Sequence, residues 1–160
     1  MSQIQIRPGT PHDVPLILAF IRELAEYEKL SHEVMATEED TRTALFGARP
    51  FAEVVIADLD GAPVGFALFF PSYSTFLGQQ GMYLEDLFVR PAARGAGVGR
   101  ELLKYLARLT VERGWGRLEW SVLDWNEPSI GFYRKMGATP MNEWTVFRMT
   151  GAALHSLARP

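Results

Sequence analysis

Apolar positions recur along this chain with two periods, and the switches between them mark its elements. Ile4 and Ile6 alternate with polar neighbours, which predicts a short strand from Gln3 to Arg7. Leu16, Phe20 and Leu24 then repeat at helical spacing on one face of a segment that runs to about Tyr27. Its start is signalled by Thr10-Pro11-His12-Asp13, with Thr as N-cap, Pro at the first helical position and Asp three residues after the cap. Thr37-Glu38-Glu39-Asp40 is a second start signal, for a short helix to about Phe46. Ala52 to Leu59 and Val64 to Phe70 read as strands joined by the tight turn Asp60-Gly61, a hairpin signature. A loop is expected over residues 73–80, followed by a strand over residues 81–89.

The second half alternates helix and strand. Residues 100–113 place Leu102, Leu103, Leu106 and Leu109 on one face, with Val98 just ahead of them and Gly114 as the stop. Leu118 to Leu123 reads as a strand, Asp124-Trp125-Asn126 as a turn, and Pro128 to Met136 as a helix ended by Gly137. A final strand is expected over Trp144 to Met149, then a marginal helix near Ala152 to Ala158. Strands on either side of helix 100–113 should run parallel through a crossover, whereas the central hairpin is antiparallel. The expectation is a single domain over residues 1–160: an α/β (α+β) fold with a mixed sheet and helices on both faces.

Composition narrows the chemistry. At 160 residues, 48% hydrophobic and 22% charged, the chain is ordinary for a folded domain. It contains no cysteine, so disulfides, thiolate chemistry and Cys-based zinc sites are excluded. His12, His32 and His155 do not pair with a second metal-type ligand, and no metal site is expected. No apolar run approaches the roughly 20 residues that cross a bilayer, so no membrane partner is expected and the cytoplasm is the expected compartment. The net charge of −3 is unevenly spread: residues 90–117 hold seven basic and two acidic residues, a local balance of +5, leaving −8 elsewhere. A basic segment suits a polyanionic ligand and an acidic remainder a cationic one, while the acidic total disfavours nucleic acid.

That basic segment contains Arg94-Gly95-Ala96-Gly97-Val98-Gly99, between a strand and a helix. Such a turn aims free backbone N–H groups at one spot, at the positive end of a helix dipole, which favours phosphate. It is not a P-loop, because no Lys-Ser or Lys-Thr pair follows the glycines. A dinucleotide fingerprint needs Gly-x-Gly-x-x-Gly, and this run is Gly-x-Gly-x-Gly. Arg94, Gly97 and Gly99 match Arg/Gln-x-x-Gly-x-Gly/Ala, and here the sequence resembles the GCN5-related N-acetyltransferase (GNAT) superfamily.

The resemblance extends over nearly the whole chain. Ile6-Arg7-Pro8, Glu23-Leu24-Ala25-Glu26-Tyr27-Glu28, Tyr83-Leu84-Glu85-Asp86 and Asp124-Trp125-Asn126-Glu127-Pro128-Ser129-Ile130-Gly131-Phe132-Tyr133 look like the spermidine/spermine (diamine) and thialysine acetyltransferase branch. This resemblance implies the acyl-CoA N-acyltransferase fold with its splayed sheet, acetyl-CoA as co-substrate and a homodimer. Leu87, Phe88 and Val89 would hold the pantetheine arm, and Arg94, Gly95, Ala96, Gly97, Val98, Gly99 and Arg100 the pyrophosphate. Asn126 and Ser129 would add polar contacts to the cofactor; by themselves they read as a helix N-cap and its neighbour.

Two residues would carry the chemistry. By resemblance Tyr133 protonates the departing thiolate, for which a phenol with a pKa of about 10 is a fair match; without the family it reads as a half-buried core tyrosine. Glu85 would take the proton of the acceptor ammonium, directly or through water, and a salt bridge to Arg90 or Arg94 is the competing account. Period two puts Glu85 on the sheet face opposite Leu84 and Asp86, so the two acids are expected to do different jobs. Tyr27, Glu28, Glu85 and Glu143 would contact the amine. Polyamine-acetylating members carry Asp and Trp where this chain has Ser74-Thr75-Phe76, which favours a shorter, lysine-like amine over spermine. The expected activity is direct acetyl transfer to a small primary amine. A non-catalytic acyl-CoA sensor and an enzyme acting on peptide amines are the alternatives.

Overall fold

A computed structural model describes residues 1–160. The chain gathers into two units, Met1–Trp125 and Asn126–Pro160. The first unit is built on a five-stranded sheet of order β1-β2-β3-β4-β5, comprising β1 (Ile4–Pro8), β2 (Glu53–Leu59), β3 (Ala62–Ser74), β4 (Gln79–Val89) and β5 (Leu118–Trp120). Neighbouring strands are antiparallel from β1 to β4, and β4 and β5 are parallel. The mixed sheet therefore forms as the element order predicts. Helix α1 (Val14–Tyr27) follows a 3₁₀ turn at Pro11–Asp13, and α2 (Glu38–Phe46) opens on a capping box in which the Thr37 hydroxyl accepts from Asp40 N–H. Between β4 and β5 lies α3 (Val98–Glu112).

The two sheet faces bury different helices. On one face Ile17 and Phe20 of α1 pack with Leu45 of α2 and with Val54, Ile56, Phe66 and Phe88 of the sheet. Phe20 stacks on Phe66 at 5.4 Å between ring centroids. Leu102 and Leu106 of α3 are fully buried, as is Met82 of β4, whose sulfur lies 3.5 Å from the Thr110 hydroxyl of α3. Burying a Leu or Phe side chain contributes about 1.5–3 kcal/mol, so these two apolar layers hold the unit together.

Three expectations are corrected. The 73–80 loop shrinks to a tip at residues 75–78, because β3 and β4 keep pairing out to Ser74 and Gln79. Strand β5 stops at Trp120 instead of running to Leu123. The strand expected at Trp144–Met149 does not form: the segment has no regular structure, and Trp144, Val146 and Phe147 are 73%, 84% and 93% exposed. A strand needs a neighbour for its backbone N–H and C=O groups, and apolar alternation alone supplies none. The second unit instead consists of α4 (Glu127–Lys135) and α5 (Gly151–Leu157) with irregular chain between them.

Candidate active site

The site in the first unit begins with a defect in β4. Phe69 of β3 pairs with Leu84 but Leu68 pairs with Asp86, so Glu85 is an extra residue and the register shifts there. A bulge of this kind resets the alternation of faces. Met82 and Leu84 lie before it, Met82 against α3. Phe88, of the same parity, lies beyond it and packs against α1. Asp86 is cross-strand from Leu68, which also belongs to the α1 side. The expectation that Glu85 and Asp86 face opposite ways is thus overturned. Both line one cleft of about 510 Å³, together with Glu28, Glu33 and apolar side chains including Leu24, Val34 and Met35.

Electrostatics in this cleft are unbalanced. Arg90, one of the two candidate partners of Glu85, instead bridges Glu23 at 3.1 Å and lies over the Phe20 ring. Arg94, the other, donates from Nε to the Val89 carbonyl at 2.9 Å, with its guanidinium 4.8 Å from the Tyr27 ring centroid. Neither arginine bridges Glu85. Burial, then the neighbouring charge of Glu85, then that of Glu28, push Asp86 up from 3.8 to about 7. Glu28 is also raised, by desolvation. A cleft with three uncompensated carboxyls suits a cationic guest.

Beside the bulge the sheet opens. Strand β5 pairs with β4 only from Met82 to Leu84, so the backbone of residues 85–89, including Leu87, Phe88 and Val89, has no strand on that side. Such an edge can take an extended ligand as an added strand. The glycine turn follows at once. Gly95 and Gly97 adopt φ of +86° and +91°, conformations that glycine alone adopts without strain. Gly97 caps α3, whose first backbone bond runs from Glu101 N–H to the Gly97 carbonyl. The N–H groups of the first turn, Val98 to Arg100, therefore point out of the helix end, while the Val98 side chain is buried and anchors the turn. This geometry fits a pyrophosphate.

The fold also joins residues that the sequence left apart. Tyr27, at the end of α1, lies between Arg94 and Trp125, the latter at 6.2 Å between centroids, and Lys29 sits 5.0 Å from the Trp125 ring. Cation–aromatic contacts of this kind contribute about 0.5–2 kcal/mol each. Glu33, Asp86 and Trp125 are site residues that sequence reasoning assigned no role. The one available signal was an acid at position 86 in the apolar series 82, 84, 88.

In the second unit, Asn126 caps α4 by accepting from Ser129 N–H at 3.4 Å. Pro at the second helical position and Glu127 in the first turn suit this start. Tyr133 lies one turn beyond Ser129, with its ring 5.5 Å from that of Phe132. Glu143 is exposed in the irregular segment that follows.

An open strand edge leading into a positive-φ glycine turn at a helix N-terminus suits an extended ligand that carries phosphate, and the comparison with known families agrees. Residues 19–138 match the acetyltransferase (GNAT) family. The chain belongs to this family. As a GNAT acetyltransferase it is 39% identical over 169 residues to a thialysine N-epsilon-acetyltransferase from Bos taurus, covering 99% of both chains. It is 35% identical to an L-ornithine N5-acetyltransferase from Arabidopsis thaliana, with 96% of this chain and 87% of the relative covered. An integron cassette protein from V. cholerae shares the fold with a TM-score of 0.80 and 29% identity, over 98% of both chains. The enzyme is an N-acetyltransferase, and acetyl-CoA is the co-substrate the family implies.

Proposed function

We propose that this GNAT enzyme acetylates a primary amine of a small molecule with two amino groups, a diamine or a lysine- or ornithine-like amino acid. The observation that carries this reading is the acidic cleft of Glu28, Glu85 and Asp86 beside the open edge of β4. One positive charge of the acceptor meets these acids, and its reactive nitrogen reaches the thioester from the cleft. The names of the thialysine and ornithine relatives support a short acceptor, as does Ser74-Thr75-Phe76 at the hairpin tip.

In the reaction Leu87, Phe88 and Val89 bind the pantetheine arm, and residues 94–100 hold the pyrophosphate. Glu85, exposed at the mouth of the cleft, receives the ammonium proton through water. Tyr133 protonates the leaving sulfur. Asn126 and Ser129 steady the cofactor from the start of α4, and Tyr27, Glu28 and Glu143 contact the amine. The enzyme works as a homodimer in the cytoplasm. The exposed Trp144, Val146 and Phe147 support a partner copy; sedimentation at assay concentration tests it, and a monomer that is fully active removes it. Cell fractionation tests the compartment, and recovery outside the cytoplasmic fraction removes that placement.

The test of function is thiol release from acetyl-CoA over diamines, polyamines, lysine, ornithine, thialysine and short peptides. Short diamines or diamino acids should give the highest kcat/KM. Preference for peptides would overturn the substrate class, and acetyl-CoA binding without transfer to any amine would make the protein a sensor.

A further inference from the structure

Glu85 is exposed and in contact with bulk water, whereas Asp86 is recessed on the same face. Bringing two consecutive acids to one cleft requires the bulge, since an unbroken strand would separate them. The groups facing Asp86 are all acidic or apolar. Glu85 comes from β4, Glu28 from the end of α1 and Glu33 from the segment after it, while Leu68 is opposite on β3. Arg90 and Arg94 are committed elsewhere, and the basic group paired with this cluster is His32, whose exposed imidazole lies 3.4 Å from Glu33.

We infer that Asp86, carried into the acceptor cleft by the β4 bulge, is the residue that accepts and holds the proton of the acceptor ammonium. This rests on the acetyl-transfer reading and refines it: Glu85 and its water pass the proton inward and Asp86 stores it. One N–H bond of the ammonium breaks and the Asp86 carboxylate becomes a carboxylic acid, freeing the nitrogen lone pair. That pair forms the C–N bond to the acetyl carbon as the C–S bond breaks. The nitrogen's second proton leaves to solvent, the sulfur takes one from Tyr133, and Asp86 and Tyr133 then return to their starting states through water. An amine with a pKa of about 10 needs an acceptor poised near the working pH. The recessed position of Asp86, at about 7, meets that need.

The experiment is the pH dependence of kcat/KM for the amine in wild type, Asp86→Asn and Glu85→Gln, together with carbon-detected NMR titration of the Asp86 carboxyl in the free wild-type protein. Wild type should lose activity below a midpoint near pH 7. Asp86→Asn should lose about 10²- to 10⁴-fold at the plateau and abolish that acid limb. Glu85→Gln should keep the limb and move it to lower pH, because one repelling charge is gone. The carboxyl should titrate near 7, a readout that also serves if Asp86→Asn fails to fold. A limb retained in Asp86→Asn, or a carboxyl midpoint below 5, overturns the assignment and leaves the acetyl-transfer reading intact. Failure of the wild type to acetylate any amine defeats both.

Discussion

Replacing Asp86 with Asn should make the protein more stable at neutral pH than the wild type, and the gain should vanish in acid. The sign follows from the direction of the shift. Between its ordinary 3.8 and about 7, the folded protein holds a proton on Asp86 that the unfolded chain has released. Stability therefore falls as pH rises through this window, and the whole penalty is present above about 7. Roughly three units at about 1.36 kcal/mol each come to about 4 kcal/mol. In a chain of this size 1 kcal/mol moves Tm by about 2–4 °C, so the variant should melt about 10 °C higher relative to wild type at pH 8 than at pH 4. Other titrating groups, such as Asp13 and Asp40 whose pKa values are lowered, occur in both proteins and largely cancel in the difference. Thermal melts at intervals from pH 4 to 8 measure it. A difference in Tm that stays constant with pH would refute the reasoning, because loss of packing or a hydrogen bond has no such dependence.

Tyr133→Phe should lower kcat by about 10²-fold or more with acetyl-CoA affinity nearly unchanged; stopped-flow turnover and calorimetry separate the two, and wild-type turnover would exclude an acid role. Gly97→Ala places a side chain at φ +91°, where its Cβ would come no closer than 4.0 Å to Ile4, so backbone strain alone should cost about 1–3 kcal/mol. The same change should raise the KM for acetyl-CoA and leave that for the amine nearly unchanged; equal effects on both would mean that the turn does not hold the pyrophosphate.

Much of the first unit was legible because its elements obey simple periods. Leu16, Phe20 and Leu24 mark α1, Leu102 and Leu106 mark α3, and Asp60-Gly61 marks the hairpin, with Asp60 at φ +52° and Gly61 at +82°. The glycine turn was legible for the same reason, since its chemistry is local. Long-range pairing was not. How far β3 and β4 extend depends on the partner strand, and Trp144–Met149 shows that a convincing alternation can lack a neighbour altogether. The destination of a long side chain is equally hidden: Arg94 belongs to the loop motif, yet its guanidinium turns back to Tyr27 and the Val89 carbonyl.

The bulge is the instructive case, because the sequence contains its trace. In strict alternation, Met82, Leu84, Asp86 and Phe88 share one face, which would set a carboxylate among core side chains. An unpaired buried carboxylate costs several kcal/mol. An inserted residue takes Asp86 out of the α3 layer, allowing Leu84 to stay on that side while Asp86 and Phe88 turn to the α1 side, where the carboxyl still carries its burial cost. Phe88 then completes the Phe20–Phe66 layer and Asp86 reaches the cleft. The packing that stabilises the sheet and the chemistry proposed for the site thus require the same one-residue shift. A sequence reading that treats an acid in an apolar series as evidence for a change of phase would place both carboxylates together.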